Sequence, residues 1–240
     1  MKCAVYTGSR NLYAAMSTAA KSLIANSDVD RVYLLIEDCW FPSELPPIVD
    51  VVNVSKQAYF PAGGPNMKSG YTYLALMRAA LALMPEFSDF DRILSLDVDT
   101  VCVRDISDIW GLPIDSCYFS ASIEPHRCLD GETYCNTGVA LYNLDMLRDG
   151  KARDVVDELN SERYPNVEQD VFNYACQGFI HRMPSEYNAA KGWTEPCEHP
   201  RIVHWAGRKF GYWTRRPEFM AYRDMPWREV MRRHGEICGL

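Results

Sequence analysis

No stretch of this 240-residue chain stays apolar for the ~20 residues that a membrane-crossing helix needs, because charges interrupt the long runs first. The opening Met1-Lys2-Cys3 lacks the apolar segment of a secretory leader, so the expectation is a cytoplasmic protein. A disulfide framework is missing too. The nine cysteines are odd in number, scattered from Cys3 to Cys238 and mostly set among apolar neighbours, which reads as reduced core residues. Neither Cys197-Glu198-His199 nor the Cys128/Cys135 pair has the spacing of a zinc module. No Gly/Ser/Pro-rich linker divides the chain and no segment repeats, so one domain is expected. An excess of positive charge is also lacking. The net charge of -7 argues against general nucleic-acid binding.

What remains is ample core material, with 48% apolar and 24% charged residues. The charge is unevenly spread. Residues 201–240 carry nine Lys/Arg against four Asp/Glu, a local +5 that leaves -12 for residues 1–200. Aromatic residues Phe210, Tyr212, Trp213, Phe219, Tyr222 and Trp227 interleave this basic tail. Such a composition suits a closing helix with a solvated basic face, or peripheral docking of 208–234 on an anionic membrane at its inner face.

Along the chain, Lys2 to Thr7, Arg31 to Glu37 and Ile48 to Val54 read as buried strands, with a helix from Tyr13 to Ala25. A loop of turn formers fills 58–70. Tyr71 to Met84 is predicted helical, and Arg92 to Val103 is an apolar strand that ends in Asp97-Val98-Asp99. Further strands are expected at Cys117–Ile123, Gly138–Leu144 and Arg201–His204. Helices are expected over Leu147–Asn160, 168–177, 217–223 and 226–234. Alternating β and α units imply an α/β fold with a mainly parallel, Rossmann-like central sheet and helices on both faces, whose ligands sit at the carboxyl ends of the strands.

Two carboxylates one residue apart at the end of a buried strand call for a positive partner, and a divalent cation is the economical one. The pattern has two readings. Asp-x-Asp-x-Thr/Val also fits the nucleophile motif of haloacid dehalogenase phosphatases, which requires it on the first strand with a paired acidic motif downstream. Here about 90 residues of β/α structure precede it and no such partner follows. The other reading is a nucleotide-sugar site, where the cation bridges diphosphate oxygens.

Four motifs then occur in order: Asp91 to Asp99, Tyr134-Cys135-Asn136-Thr137-Gly138, Glu168-Gln169-Asp170 and His204-Trp205-Ala206-Gly207. Together they resemble the retaining GT-A glycosyltransferases of family 8, the group of glycogenin and the lipopolysaccharide galactosyltransferases. The resemblance implies the GT-A nucleotide-diphospho-sugar transferase fold over 1–200, with 201–240 as the part of the same domain that completes the metal and diphosphate site. It implies a metal-dependent transferase that moves a hexosyl unit from a UDP-sugar to a carbohydrate, lipid-linked or protein hydroxyl. The metal, Mn2+ or Mg2+, would be held by Asp97, Asp99 and His204, an oxygen-rich set that tolerates one imidazole.

By the same resemblance, Thr7, Gly8 and Tyr13 would hold the uridine, with Tyr13 the candidate to stack on the base. Arg78, Val98, Gly207 and Lys209 would meet the ribose and diphosphate, and Asp97 would reach the ribose as well as the metal. Asn136, Glu168 and Gln169 would lie around the donor sugar, with Glu124 orienting a hydroxyl. Two departures are visible. Glu168 replaces the usual Asp, and Lys209-Phe210-Gly211-Tyr212-Trp213 replaces a later Lys-Pro-Trp.

Overall fold

A computed structural model describes residues 1–69, 71–129, 131–207 and 211–239. The first apolar runs become parallel strands β1 (Cys3–Thr7), β2 (Arg31–Ile36), β3 (Val49–Asn53) and β4 (Arg92–Leu96). Later come β5 (Thr100–Cys102), β6 (Phe119–Leu129), β7 (Glu132–Asn143), β8 (Ile180–Arg182) and β9 (Ile202–His204). Seven of them form one sheet in the order β3-β2-β1-β4-β7-β6-β8, and β5 pairs with β9 alone. Four of the six pairings in the large sheet are parallel; β7 runs antiparallel to both β4 and β6.

All five residues of β1 are buried, which is why the strand reads as an unbroken apolar run. Its side chains alternate between two cores. Cys3 and Val5 join Ile93, Tyr142 and Phe172 on one face, while Ala4 and Tyr6 join Leu23, Leu94, Leu96 and Trp213 on the other. Chain order reverses between β1 and β4: β2 and β3 extend one side, β4 the other. In such sheets the ligand crevice opens at this switch point, beyond the strands' carboxyl ends.

The helices are α1 (Tyr13–Ala25), α2 (Met77–Ala80), α3 (Leu144–Met146), α4 (Ala152–Ser161), α5 (Val167–Ala175), α6 (Pro217–Arg223) and α7 (Trp227–Cys238). Three expectations are corrected. The helix expected over Tyr71–Met84 is broken into 3₁₀ turns at Tyr73–Leu76 and Leu81–Leu83 around the single turn of α2. The helix expected from Leu147 starts at Ala152, because Gly150 at φ +97° and Asp149 leave helical geometry. The strands expected at Cys117–Ile123 and Gly138–Leu144 are the roots of a longer β6–β7 hairpin, irregular between Ile123 and Cys128.

The basic tail packs inward. Phe219, Tyr222 and Trp213 lie in the core shared with α1, and Asn26 Nδ2 donates to Tyr222 Oη at 2.7 Å. Arg223 pairs with Asp224, and Arg232 with Glu229 and Glu236. The aromatic residues that suggested a membrane face are thus largely used in packing. Among the described residues, no helix is long and apolar enough to cross a membrane.

Candidate active site

Asp97 follows β4 directly. Its N–H donates to Gly138 O at 2.7 Å, continuing the β4–β7 ladder, while Thr100 N and Oγ1 both donate to Asp97 O, at 3.2 and 2.6 Å. This clamped turn feeds β5, whose register sets Thr100 opposite His204 of β9. Residues more than a hundred positions apart therefore meet. His204 Nε2 lies 3.5 Å from Asp97 Oδ2 and 3.4 Å from Asp99 Oδ1, and one ligand atom from each residue falls within 4.8 Å of the others. Gly138 makes the approach possible. A Cβ there would stand 2.3 Å from His204 Cε1 and 2.7 Å from Asp97 Oδ2, so no side chain fits.

The ring of His204 is oriented from behind. Its Nδ1 donates to Asn188 Oδ1 at 2.7 Å, Asn188 Nδ2 donates to Asn136 Oδ1 at 2.9 Å, and Asn136 Nδ2 donates to Glu124 Oε1 at 2.7 Å. That hydrogen bond sets the tautomer and turns Nε2 toward the two carboxylates. Buried Nε2 has no hydrogen-bond partner, which is the position a cation would fill. Two carboxylates and one imidazole suit a hard or borderline divalent ion, so the residues fit Mn2+ or Mg2+. Without one, burial opposes a charge on the imidazole, yet Asp99 and Asp97 outweigh it and raise His204 to about 9.

A second charged group adjoins the first. Arg78 of α2 is buried, pairs with Asp97 and lies 3.4 Å from Glu168 Oε1 and from Thr137 O. Burial works against ionising Asp97, but Arg78 and His204 hold it well below the usual carboxylate range. Glu168 behaves oppositely. Burial raises it to about 7 despite Arg78, and its Oε2 has no partner.

Gln169 is fully engaged. Its Oε1 accepts from Thr137 N at 3.0 Å, and its Nε2 donates to Tyr134 Oη at 3.0 Å and Glu124 Oε1 at 3.3 Å. Tyr134 in turn donates to Asp170. These groups line or back a cleft of about 380 Å³ at the carboxyl ends of β1 and β4.

The described motifs and this geometry coincide with a known pattern: the model of glycosyl transferase family 8 matches residues 3–215. The chain belongs to that family. It is 23% identical over 205 residues to glycosyltransferase GlyE of Streptococcus pneumoniae, covering 80% of this chain and 48% of that protein. It is 24% identical over 250 residues to the probable glycosyl transferase Gly of Streptococcus gordonii, covering 92% of this chain and 35% of that one. It thus spans about half the length, or less, of these relatives. The fold is that of the crystal structure of galactosyltransferase LgtC, at TM-score 0.67 and 19% identity over 98% of this chain and 95% of that one. This is the GT-A fold.

The remaining expected residues of this family 8 site are unevenly placed. Thr7, Val98, Gly207, Arg78, Glu124, Asn136, Glu168, Gln169, Asp97, Asp99 and His204 all line the cleft. Tyr13 does not. It is 3% exposed, its hydroxyl donates to Asp38 Oδ2 at 2.7 Å, its ring packs against Phe41, and Leu12 lines the cleft beside it. Gly8 lies behind the wall, where a Cβ would meet Met16 Cε at 2.7 Å. Lys209 lies outside the described residues. The amide of Asn136 is spent on Glu124, Asn188 and the Gly138 N–H rather than directed at a ligand. Loop 58–69 is pinned by Asn66, whose Nδ2 donates to Leu159 O and Glu162 O at 2.7 Å each.

Sequence reading missed Asn188, Tyr71 and Trp193. Asn188 sits in a loop without a motif, and the bridge of Ala189 to Val203 of β9 brings it to His204. Trp193 and Tyr71 carry a weak signal, since each is a large aromatic flanked by glycine.

Proposed function

We propose that this chain moves a hexosyl unit from a UDP-sugar to an acceptor hydroxyl with retention of configuration, using Mn2+ or Mg2+ at Asp97, Asp99 and His204. The observation that carries the reading is the unpartnered Nε2 of buried His204, aimed at two carboxylates at the switch point of a family 8 fold. When bound, the cation supplies Lewis-acid stabilisation to the departing diphosphate. Arg78 adds a fixed positive charge beside Asp97, and Gly207, at φ +65°, lets backbone approach the phosphates. Glu168 Oε2, buried without a partner, is the acceptor atom for a donor-sugar hydroxyl. Gln169 is held beneath the sugar by Thr137, Tyr134 and Glu124, while Glu124 and Asn136 position their neighbours.

The acceptor is a carbohydrate, free or carried by a lipid or protein. The C–O bond to UDP breaks, a bond to the acceptor oxygen forms on the same face, the acceptor's proton passes to the departing diphosphate oxygen, and no side chain is assigned as nucleophile. A cytoplasmic protein, with 208–234 the segment that would touch a membrane, agrees with these substrates.

The test measures UDP release from UDP-glucose, UDP-galactose and their N-acetyl forms with Mn2+. Metal-dependent release that Asp99→Ala abolishes is expected. If no UDP-sugar is bound or hydrolysed and Asp99→Ala leaves metal affinity unchanged, the reading fails. Cleavage of p-nitrophenyl phosphate that Asp97→Asn abolishes would favour the phosphatase chemistry instead.

A further inference from the structure

Two large aromatic side chains border the cleft without serving the core. Trp193 is 40% exposed and Tyr71 54% exposed; both line the cleft, and neither belongs to the two apolar cores. An aromatic side chain lining a polar cleft offers a ligand an apolar face beside hydrogen-bonding groups. Their placement is specific. Trp193 lies against Gly207, where an added Cβ would stand 2.6 Å from Trp193 Cζ2, so the indole abuts the backbone three residues after His204. Tyr71 lies toward the other charged group, within the field of Glu168, Asp97 and Asp170.

The turn that carries Trp193 closes without the indole. Thr194 Oγ1 donates to Asn188 O at 2.7 Å, Trp193 N to Ala190 O at 2.8 Å, and Ala190 N to Thr194 Oγ1 at 3.0 Å. The same turn begins with Asn188, which orients His204. A rigid support therefore presents an aromatic face at a fixed place relative to the metal ligands. Gly207 covers the indole at Cζ2, Cε2 and Nε1, and among the described residues no other aromatic ring stacks on it, while the side chain stays 40% exposed at the cleft.

We propose that Trp193, with Tyr71 across the charged groups, is the acceptor-binding surface, and that it takes a pyranose sugar by stacking against the face where the sugar's C–H groups lie. A pyranose pairs one apolar face with a rim of hydroxyls, matching an aromatic wall beside carboxylates. A serine or threonine hydroxyl on a peptide offers no such face. The proposal rests on the transferase reading above and names the acceptor class for it.

The experiment separates the two. UDP release by the full chain with Mn2+ is measured alone, then with methyl α- and β-pyranosides of glucose, galactose, N-acetylglucosamine and N-acetylgalactosamine, and with a serine-containing peptide. Release without acceptor reports the donor site. Stimulation by a pyranoside and not by the peptide is expected, and Trp193→Ala raises acceptor KM at least about tenfold more than donor KM, with Trp193→Phe intermediate. Three results overturn the proposal: donor hydrolysis that no pyranoside stimulates, an acceptor KM unmoved by Trp193→Ala, or donor and acceptor KM rising together, which would make Trp193 a prop for Gly207. Absence of UDP release under every condition would instead count against the underlying transferase reading.

Discussion

Replacing Glu168 by Gln should change how the stability of this protein depends on pH, and the structure fixes the sign and size. Glu168 is 4% exposed, and burial raises its carboxyl from 4.5 to about 7. The folded state therefore holds a proton over a range where the unfolded chain has released it. Stability follows the difference in bound protons between unfolded and folded states, so it is complete below about 4.5 and falls as pH rises toward about 7. Each unit is worth about 1.4 kcal/mol, so the loss is about 3 kcal/mol, a large share of a typical 5–15 kcal/mol.

Neighbouring groups act elsewhere. Asp97, held low, contributes below the window, and His204, raised from 6.5 to about 9, contributes from its upper end onward and equally in both proteins. Glutamine keeps the shape without the titration, and any fixed change from the altered contact with Arg78 offsets the curve without tilting it. Urea unfolding at half-unit steps from pH 4.5 to 7.5, in chelator, reads both slopes. The wild type should lose stability across this window by about 3 kcal/mol more than Glu168→Gln does. Parallel curves would refute the reasoning, because they would mean that Glu168 is ionised, and adequately paired by Arg78, throughout.

Other outcomes follow from the same contacts. Asn188→Ala removes the acceptor for His204 Nδ1 and should weaken Mn2+ binding by about 10–100-fold in calorimetry, with Asn188→Asp restoring most of it. Gly138→Ala drives a Cβ into His204 Cε1 and Asp97 Oδ2; it should abolish metal binding and cost about 1–3 kcal/mol of stability in urea unfolding. UDP should bind poorly in chelator, and Asp97→Asn/Asp99→Asn should tighten that metal-free binding while removing its response to Mn2+; titration calorimetry reads both effects.

Legibility in the sequence tracked burial and locality. β1, β2 and β4 are buried on both faces, so their composition alone marks them, and α1 shows a helical stripe beginning at Tyr13. The Asp-x-Asp pair was legible because a charge at the end of such a strand is costly unless matched. Gly150 is visible as a breaker inside the apolar spacing that predicts a helix from Leu147, and α4 starts five residues later, at Ala152. The β6–β7 hairpin lacked a signal because its outer half is exposed and irregular, carrying Pro125, His126 and Arg127 where an alternating pattern would be sought. Asn188 and Trp193 depend on the bridge of Ala189 to Val203 and on the turn that follows it, long-range contacts that no local pattern marks. Tyr13 illustrates the converse: register along α1 turns it into the core, and Leu12 takes the place beside the cleft.

The charges of the cleft give the site a logic that no single contact supplies. Asp97, Asp99, Glu124 and Glu168 stand against Arg78, with His204 able to carry one more positive charge. Such a pocket repels a diphosphate. At an effective dielectric near 20, two like charges about 6 Å apart cost roughly 3 kcal/mol, enough to suppress binding by about a hundredfold. On the proposed reading a divalent cation at Asp97, Asp99 and His204 would reverse the sign only where those side chains converge, leaving Glu168 to face sugar hydroxyls rather than phosphate. On that reading the acidic side chains would act as a filter: the nucleotide end of a donor would be accepted only with the cation, and the neutral sugar end without it. Arg78 serves both halves, since its guanidinium bridges Asp97 and Glu168 and keeps two carboxylates of different tasks in one buried cluster.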